Sequence, residues 1–196
     1  MKLRVRWYGE PILRENAEAV TVFDAELKEL AKNMIETMYA SEGIGLAAQQ
    51  IGEKRRICVM DLGPNYFSEE DFFHQLDGKA IPLTILFPLV LVNPKITEFS
   101  EEETVVNEGC LSIPDMRGPV FRPERVVLTF EDLEGHKHGL KCNGAFARCI
   151  QHEIDHLNGV LYIDRMEPRE LDKLKTKLTK LKRLTRERLK EEREGR

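Results

Sequence analysis

His152, Glu153 and His156 lie in the stretch Gln151-His152-Glu153-Ile154-Asp155-His156-Leu157-Asn158-Gly159, a His-Glu-x-x-His spacing. On a helix of about 3.6 residues per turn, positions four apart share a face, so both imidazoles can close on one cation while Glu153 stands beside it. That is a metal site with a built-in general base, the equipment of a metal-dependent hydrolase. A divalent cation lowers the pKa of its water toward neutrality, and the carboxylate can take that water's proton and later deliver it to a departing amine. Two imidazoles are too few, because a catalytic cation usually keeps three protein ligands and one open position. Cys149 precedes His152 by three, but Cys149 to His156 spans roughly 10 Å along a helix axis. Bonds of about 2.0–2.3 Å cannot gather all three. The third ligand therefore belongs to another element, and spacing leaves Cys58, Cys110, Cys142, His74, His136, His138 and the carboxylates open.

The helix that carries the pair is written in Phe146, Ile150, Ile154 and Leu157, which recur at helical spacing before Gly159 stops the run. A second amphipathic helix spans residues 24–40, where Leu27, Leu30, Ala31, Met34, Ile35 and Met38 form one apolar stripe for the core. Gly43 and Gly45 follow it and either end that helix or shape a loop that grips an extended peptide. Strand-like runs cover residues 56–60, 89–92, 95–99 and 125–131, with short returns that favour antiparallel pairing. His136 and His138 flank a turn after the last of these and read as solvated rather than as a second metal site. Leu171, Leu174, Leu178, Leu181 and Leu184 predict a helix over about 168–193, its first part packed on the body and its last turns in solvent. Together these elements indicate an α+β chain of one domain over residues 1–196. It carries a loop-rich insertion at about 61–82 that holds Tyr66, Phe67, Phe72 and Phe73.

Three blocks, Gly43-Ile44-Gly45-Leu46-Ala47-Ala48-Gln49-Gln50, Glu108-Gly109-Cys110-Leu111-Ser112 and the His-Glu-x-x-His helix, resemble in order the signature motifs of the peptide deformylases. The N-terminal Gly9-Glu10-Pro11-Ile12-Leu13-Arg14 is similar to the start of that family too, so the resemblance runs over nearly the whole chain. It implies small antiparallel sheets around a central metal-binding helix, with Cys110, His152 and His156 as ligands. The implied activity is removal of the N-formyl group from the N-terminal formylmethionine of nascent polypeptides. Attack on a formamide develops negative charge on its oxygen. The resemblance assigns the donors for that charge to Gln50, in preference to Gln49, and to the backbone N–H of Leu111. It places Gly43, Ile44, Gly45, Val106, Gly109, Arg117 and Cys149 around the substrate, with Ile44, Val106 and Cys149 at the methionine side chain. Arg148 departs from the family pattern, which expects a hydrophobic residue there.

The resemblance implies Fe²⁺ as the physiological ion. One thiolate and two imidazoles also suit Zn²⁺, and Ni²⁺ or Co²⁺ can occupy such a site. It further suggests that the C-terminal helix docks on the ribosome near the exit tunnel. The charge agrees: from residue 167 onward 12 Lys/Arg stand against 7 Asp/Glu, a net +5, which leaves −9 on residues 1–166. Basic patches attract phosphate backbones.

With 41% hydrophobic and 33% charged residues, the composition is that of an ordinary soluble protein. The charged start Met1-Lys2-Leu3-Arg4 argues against export, the longest apolar run is broken by prolines, and four cysteines at irregular spacing suit a reducing cytoplasm. Two rivals share the motif. A zinc endopeptidase takes its third ligand downstream of the helix, where mainly Asp164 and Glu167 are on offer, and a structural Cys/His site needs a fourth protein ligand.

Overall fold

The computed structural model describes residues 2–63 and 73–195. Helix α1, Ala25–Ala40, begins where the Asp24 carboxylate accepts the Leu27 N–H at 3.0 Å. It buries Leu27, Ala31, Met34 and Met38, four residues of the predicted stripe. The strands are β1 (Gly45–Ala47), β2 (Ile57–Met60), β3 (His74–Leu76), β4 (Leu89–Phe99), β5 (Glu103–Cys110), β6 (Ile113–Pro123), β7 (Arg125–Glu131) and β8 (Lys137–Asn143). Six of them form an antiparallel sheet in the order β1-β2-β4-β7-β8-β3, and β5 with β6 forms a separate hairpin. A one-turn helix α2 covers Leu83–Leu86, helix α3 covers Gly144–Leu157, and helix α4 covers Pro168–Arg193.

Strand β2 shows how the layers are made. All four of its residues are buried: Ile57 and Val59 join α1 in one core cluster, while Cys58 and Met60 join α3 in another. Side chains alternate across a strand, so a strand covered on both faces reads as a continuous apolar run. Helix α3 thus lies against one face of the sheet, with Phe146, Ile150, Ile154 and Leu157 buried as their spacing predicted. The hairpin closes over the other side of α3 and forms a third cluster with the N-terminal segment and α4, through Leu13, Ile113, Val120, Tyr162, Leu178 and Leu181.

Three elements differ from their sequence reading. The runs at 89–92 and 95–99 are one strand, kept continuous across irregularities between Val92 and Lys95 and between Ile96 and Glu98. His138 sits in β8 rather than in a turn, though His136 is exposed as expected. The last turns of α4 are not free: the Arg188 guanidinium stacks 4.9 Å over Trp7, Glu192 pairs with Arg4 at 3.2 Å, and Thr185 donates to the Tyr8 carbonyl. Within the insertion, His74–Leu76 adds an edge strand to β8 and Phe73 is half exposed, while Tyr66, Phe67 and Phe72 fall outside the described residues. Among the described residues no helix is long and apolar enough to cross a membrane.

Candidate active site

Helix α3 presents His152, Glu153 and His156 toward the end of the β5–β6 hairpin, where a register shift between Gly109 and Cys110 turns the chain. One ligand atom each from Cys110, His152 and His156 lie within 4.8 Å of one another, and the Cys110 Sγ stands 3.1 Å from His156 Nε2. Of the third-ligand candidates left open by spacing, Cys110 is the one in this group. Cys58 and Cys142 are buried strand thiols, His74 bonds the Ile81 carbonyl, and His136 and His138 share Asp132.

The His152 Nδ1 bonds the Glu108 carboxylate at 2.9 Å, which leaves Nε2 for the group, and a carboxylate on the far nitrogen is what orients a metal-binding imidazole. Glu108 itself is buried between Arg122, at 2.6 and 2.9 Å, and Arg148, at 2.9 Å. Burial pushes the Glu108 carboxyl up, but Arg122 and His152 outweigh it and hold the group well below the usual carboxylate range. Arg122 is 2% exposed and reaches Asp155 at 2.7 Å with its other nitrogen, so the charges form one buried network behind the histidines. His152 would be driven down by burial, yet Cys110 and Glu108 raise it well above its ordinary value. For His156, burial and the nearby His152 push the pKa well below its ordinary value, so the imidazole is neutral, as a metal ligand must be. One soft thiolate with two imidazoles, three ligands and no fourth among the described residues, fits a catalytic divalent cation.

Glu153 is 4% exposed, its Oε2 has no partner among the described residues, and burial pushes its pKa up to about 7 against the pull of His152 and Arg122. A carboxylate poised near neutrality is suited to taking and returning a proton. Gln50 is locked by its Oε1, which accepts the Ala47 N–H at 2.8 Å, so its Nε2 points to Cys110 Sγ at 3.5 Å and Ser112 Oγ at 3.4 Å. Gln49 is buried with its amide unpartnered among the described residues. Leu111 follows Cys110 in the turn, and the next N–H, that of Ser112, donates to the thiol at 3.4 Å.

A cleft of about 710 Å³ opens on this group, and Gly43, Ile44, Gly45, Val106, Gly109, Arg117 and Cys149 all line it. Gly43 closes the end of α1, its N–H donating to the Met38 carbonyl at 3.0 Å, and a Cβ there would press on Leu111. Residues the sequence reading did not assign also contribute, namely Glu42, Asp115 and Ala145 on the walls and Glu108, Arg122 and Asp155 beneath. Glu108 was visible two residues before Cys110; nothing in the spacing marked Arg122. The downstream carboxylate of the endopeptidase reading is occupied elsewhere, since Asp164 pairs with Arg14 and accepts the Leu161 N–H.

Residues 2–172 match the family model described as polypeptide deformylase. The chain belongs to this family. A peptide deformylase of Opitutus terrae is 46% identical over 187 residues, covering 95% of this chain and 96% of its own length. Among solved structures, a Thermotoga maritima peptide deformylase superposes with a TM-score of 0.73 at 38% identity, covering 86% of this chain and 99% of the other. A Synechococcus elongatus peptide deformylase in complex with actinonin gives 0.75 at 39% identity, over 89% and 85%. The α+β fold of this deformylase, with antiparallel sheets and a C-terminal helix, is that of its relatives. Its activity is theirs: hydrolysis of the N-formyl group from the N-terminal formylmethionine of nascent polypeptides, with a metal ion.

Proposed function

We propose that Cys110, His152 and His156 hold Fe²⁺ as the working ion, and that Glu153, Gln50 and Leu111 carry the chemistry around it. The observation that supports this is the meeting of one thiol and two imidazoles beside a buried carboxylate with a free oxygen. The cation supplies, when bound, a water of lowered pKa and polarisation of the formyl oxygen. Glu153 takes the proton of the attacking water and returns it to the amine as the C–N bond breaks, leaving formate and a free N-terminus. Charge gathers on the formyl oxygen during attack, and the Gln50 Nε2–H and Leu111 N–H neutralise it without having to reorganise. Ile44, Val106 and Cys149 receive the methionine side chain, while Gly43, Gly45, Gly109 and Arg117 hold the peptide backbone. Anaerobic metal analysis paired with turnover of formyl-Met-Ala-Ser tests the assignment. Cys110→Ala is expected to lose ion and activity together. Glu153→Ala is expected to keep the ion and lose about 10²–10⁴-fold in kcat. Gln50→Ala is expected to keep the ion and lose about 10²–10³-fold. A Gln50→Ala enzyme with near-normal rate would return that residue to a structural role.

The enzyme works in the cytoplasm on chains leaving the ribosome, and α4 is the docking element. Lys173, Lys175, Lys177, Lys180, Arg183 and Arg186 all lie exposed along it. Reversing Lys177, Lys180 and Arg183 to Glu leaves the core leucines alone and is expected to abolish cosedimentation with ribosomes at low salt. Unchanged cosedimentation would remove the helix from that role.

A further inference from the structure

The cleft wall expected to receive the first side chain is apolar at Ile44, Val106, Ala145 and Cys149, with one exception, Arg148. Its side chain is only 12% exposed and its head is fixed. Nη1 donates to Glu108 Oε1 at 2.9 Å and to the Val120 carbonyl at 3.0 Å, and Nη2 donates to the carbonyl and hydroxyl of Thr104 at 2.7 and 3.0 Å. Four terminal N–H groups thus meet four acceptors on both strands of the β5–β6 hairpin, and the guanidinium cannot swing out of the way as a solvated arginine would. Arg148 lines the cleft, and its Nε–H is the one N–H of the head that makes no hydrogen bond among the described residues.

We propose that Arg148 determines side-chain selectivity, adding a fixed hydrogen-bond donor to an otherwise apolar pocket so that the enzyme accepts a first residue bearing an acceptor, formylmethionine sulfoxide above all. This rests on the reading that the cleft takes the formylmethionine side chain. When an apolar side chain fills the pocket, the Nε–H loses its water and gains only a thioether sulfur, a weak acceptor. A sulfoxide oxygen is a strong one and restores the bond. The remaining walls contribute little against it, because an apolar pocket rejects an added oxygen only weakly. Arg148 is then the group that turns tolerance of the oxidised side chain into recognition.

The test uses the full-length, metal-loaded enzyme and compares kcat/KM for formyl-Met-Ala-Ser, its methionine sulfoxide counterpart and its norleucine counterpart, which lacks any acceptor. Arg148→Leu is expected to lower the sulfoxide-to-norleucine ratio by about tenfold or more, the worth of a hydrogen bond to a charged donor. Arg148→Lys, which keeps the charge without the fixed N–H, lowers the ratio in the same direction and serves if the leucine variant fails to fold. The deformylated product peptides are expected to show the same ratio change in their Kd values by calorimetry. A residue that merely pins the hairpin would scale all three substrates alike. A ratio constant within about twofold across the variants, the scatter of independent effects, overturns the proposal. A wild-type enzyme that binds metal but leaves formyl-Met-Ala-Ser intact instead overturns the underlying reading, and this inference with it.

Discussion

The backbone of Gly45 runs so close to Glu153 that a Cβ at position 45 would come within 2.8 Å of the carboxyl carbon and 3.0 Å of Cγ. The glycine at this point of β1 is required by the approach of the base, since the strand conformation itself is open to any residue. Gly45→Ala is therefore expected to fold, with β1 still paired to β2, but to push the Glu153 carboxylate aside. A displacement of about 1 Å can cost on the order of 10²-fold in kcat. If the loss runs through Glu153, the double variant Gly45→Ala/Glu153→Ala will be no slower than Glu153→Ala alone. Steady-state rates with a thermal melt on each variant check this, and additive losses would assign Gly45 a separate role in gripping the peptide.

Glu108 ties the histidine helix to the hairpin that carries Cys110, through His152 on one oxygen and two guanidiniums around it. Removing Arg122 leaves Glu108 and Asp155 buried without their shared cation. Breaking a buried pair outright costs about 3–5 kcal/mol; Arg148 on Glu108 and Arg165 on Asp155 hold the loss below that, though still above what an exposed ion pair is worth. Arg122→Ala is expected to show that loss in denaturant unfolding of the metal-free protein. Glu108→Ala is expected to weaken metal binding by about 10–100-fold through the loss of His152 orientation. Equal metal affinity in the Glu108 variant would mean that packing alone holds the ring.

Local patterns carried much of this architecture. The stripe of α1, the face of α3 and the bounds of α4 follow from apolar residues at helical spacing, and these elements lie where that spacing puts them. The hairpin was far less legible. Strand β6 contains Pro114, Pro119 and Pro123 with Gly118, residues that interrupt a strand signal, and its pairing with β5 is decided by closure over α3 rather than by alternation. The site divides in the same way. His152, Glu153 and His156 are three residues of one helix and announce themselves, whereas Cys110 lies 42 residues before His152 and was chosen only by family resemblance. Arg122 belongs to no motif and Asp155 fills an unspecified position of the His-Glu-x-x-His spacing, and long-range burial is what makes them partners.

Asp77, in the turn after β3, and Asp132, after β7, converge on His138, at 2.8 and 3.3 Å, and Asp132 also meets His136 at 3.0 Å. The hydrogen bond to Asp77 raises the His138 pKa above its ordinary value despite partial burial. That contribution is fully present below the unfolded value, about 6.5, and disappears as pH rises through the folded one. For Asp77 the Gly139 N–H and then His138 lower the pKa. Its contribution is present above the ordinary carboxylate value, about 3.9, and is lost as pH falls through the depressed one. The cluster therefore supports the β3 edge best in weak acid. His138→Ala is expected to destabilise more at about pH 5.5 than at pH 9, by at most about 1 kcal/mol because these groups face solvent. Urea unfolding at both values reads the difference directly, and an equal loss at both would leave only the packing of His138 on Phe130.

Helix α4 is bound to the body for most of its length. Leu178 and Leu181 are buried with Leu13, Tyr162 and Ile163, Thr185 is fully buried at the Tyr8 carbonyl, and Arg188 covers Trp7. The same cluster holds Ile113 at the turn of the hairpin and touches Cys110, so α4 supports the strand end from which the thiol reaches the histidines. Truncation after Pro168 is accordingly expected to cost stability and activity together, and Leu178→Ala or Leu181→Ala to lose about 2–5 kcal/mol each. A truncated chain that unfolds at the wild-type denaturant midpoint with normal turnover would show that the N-terminal segment and the hairpin hold Cys110 without the helix. In the expected case, loss of ribosome cosedimentation on truncation reports unfolding rather than docking, and the charge reversals on the exposed face are the variants that separate the two.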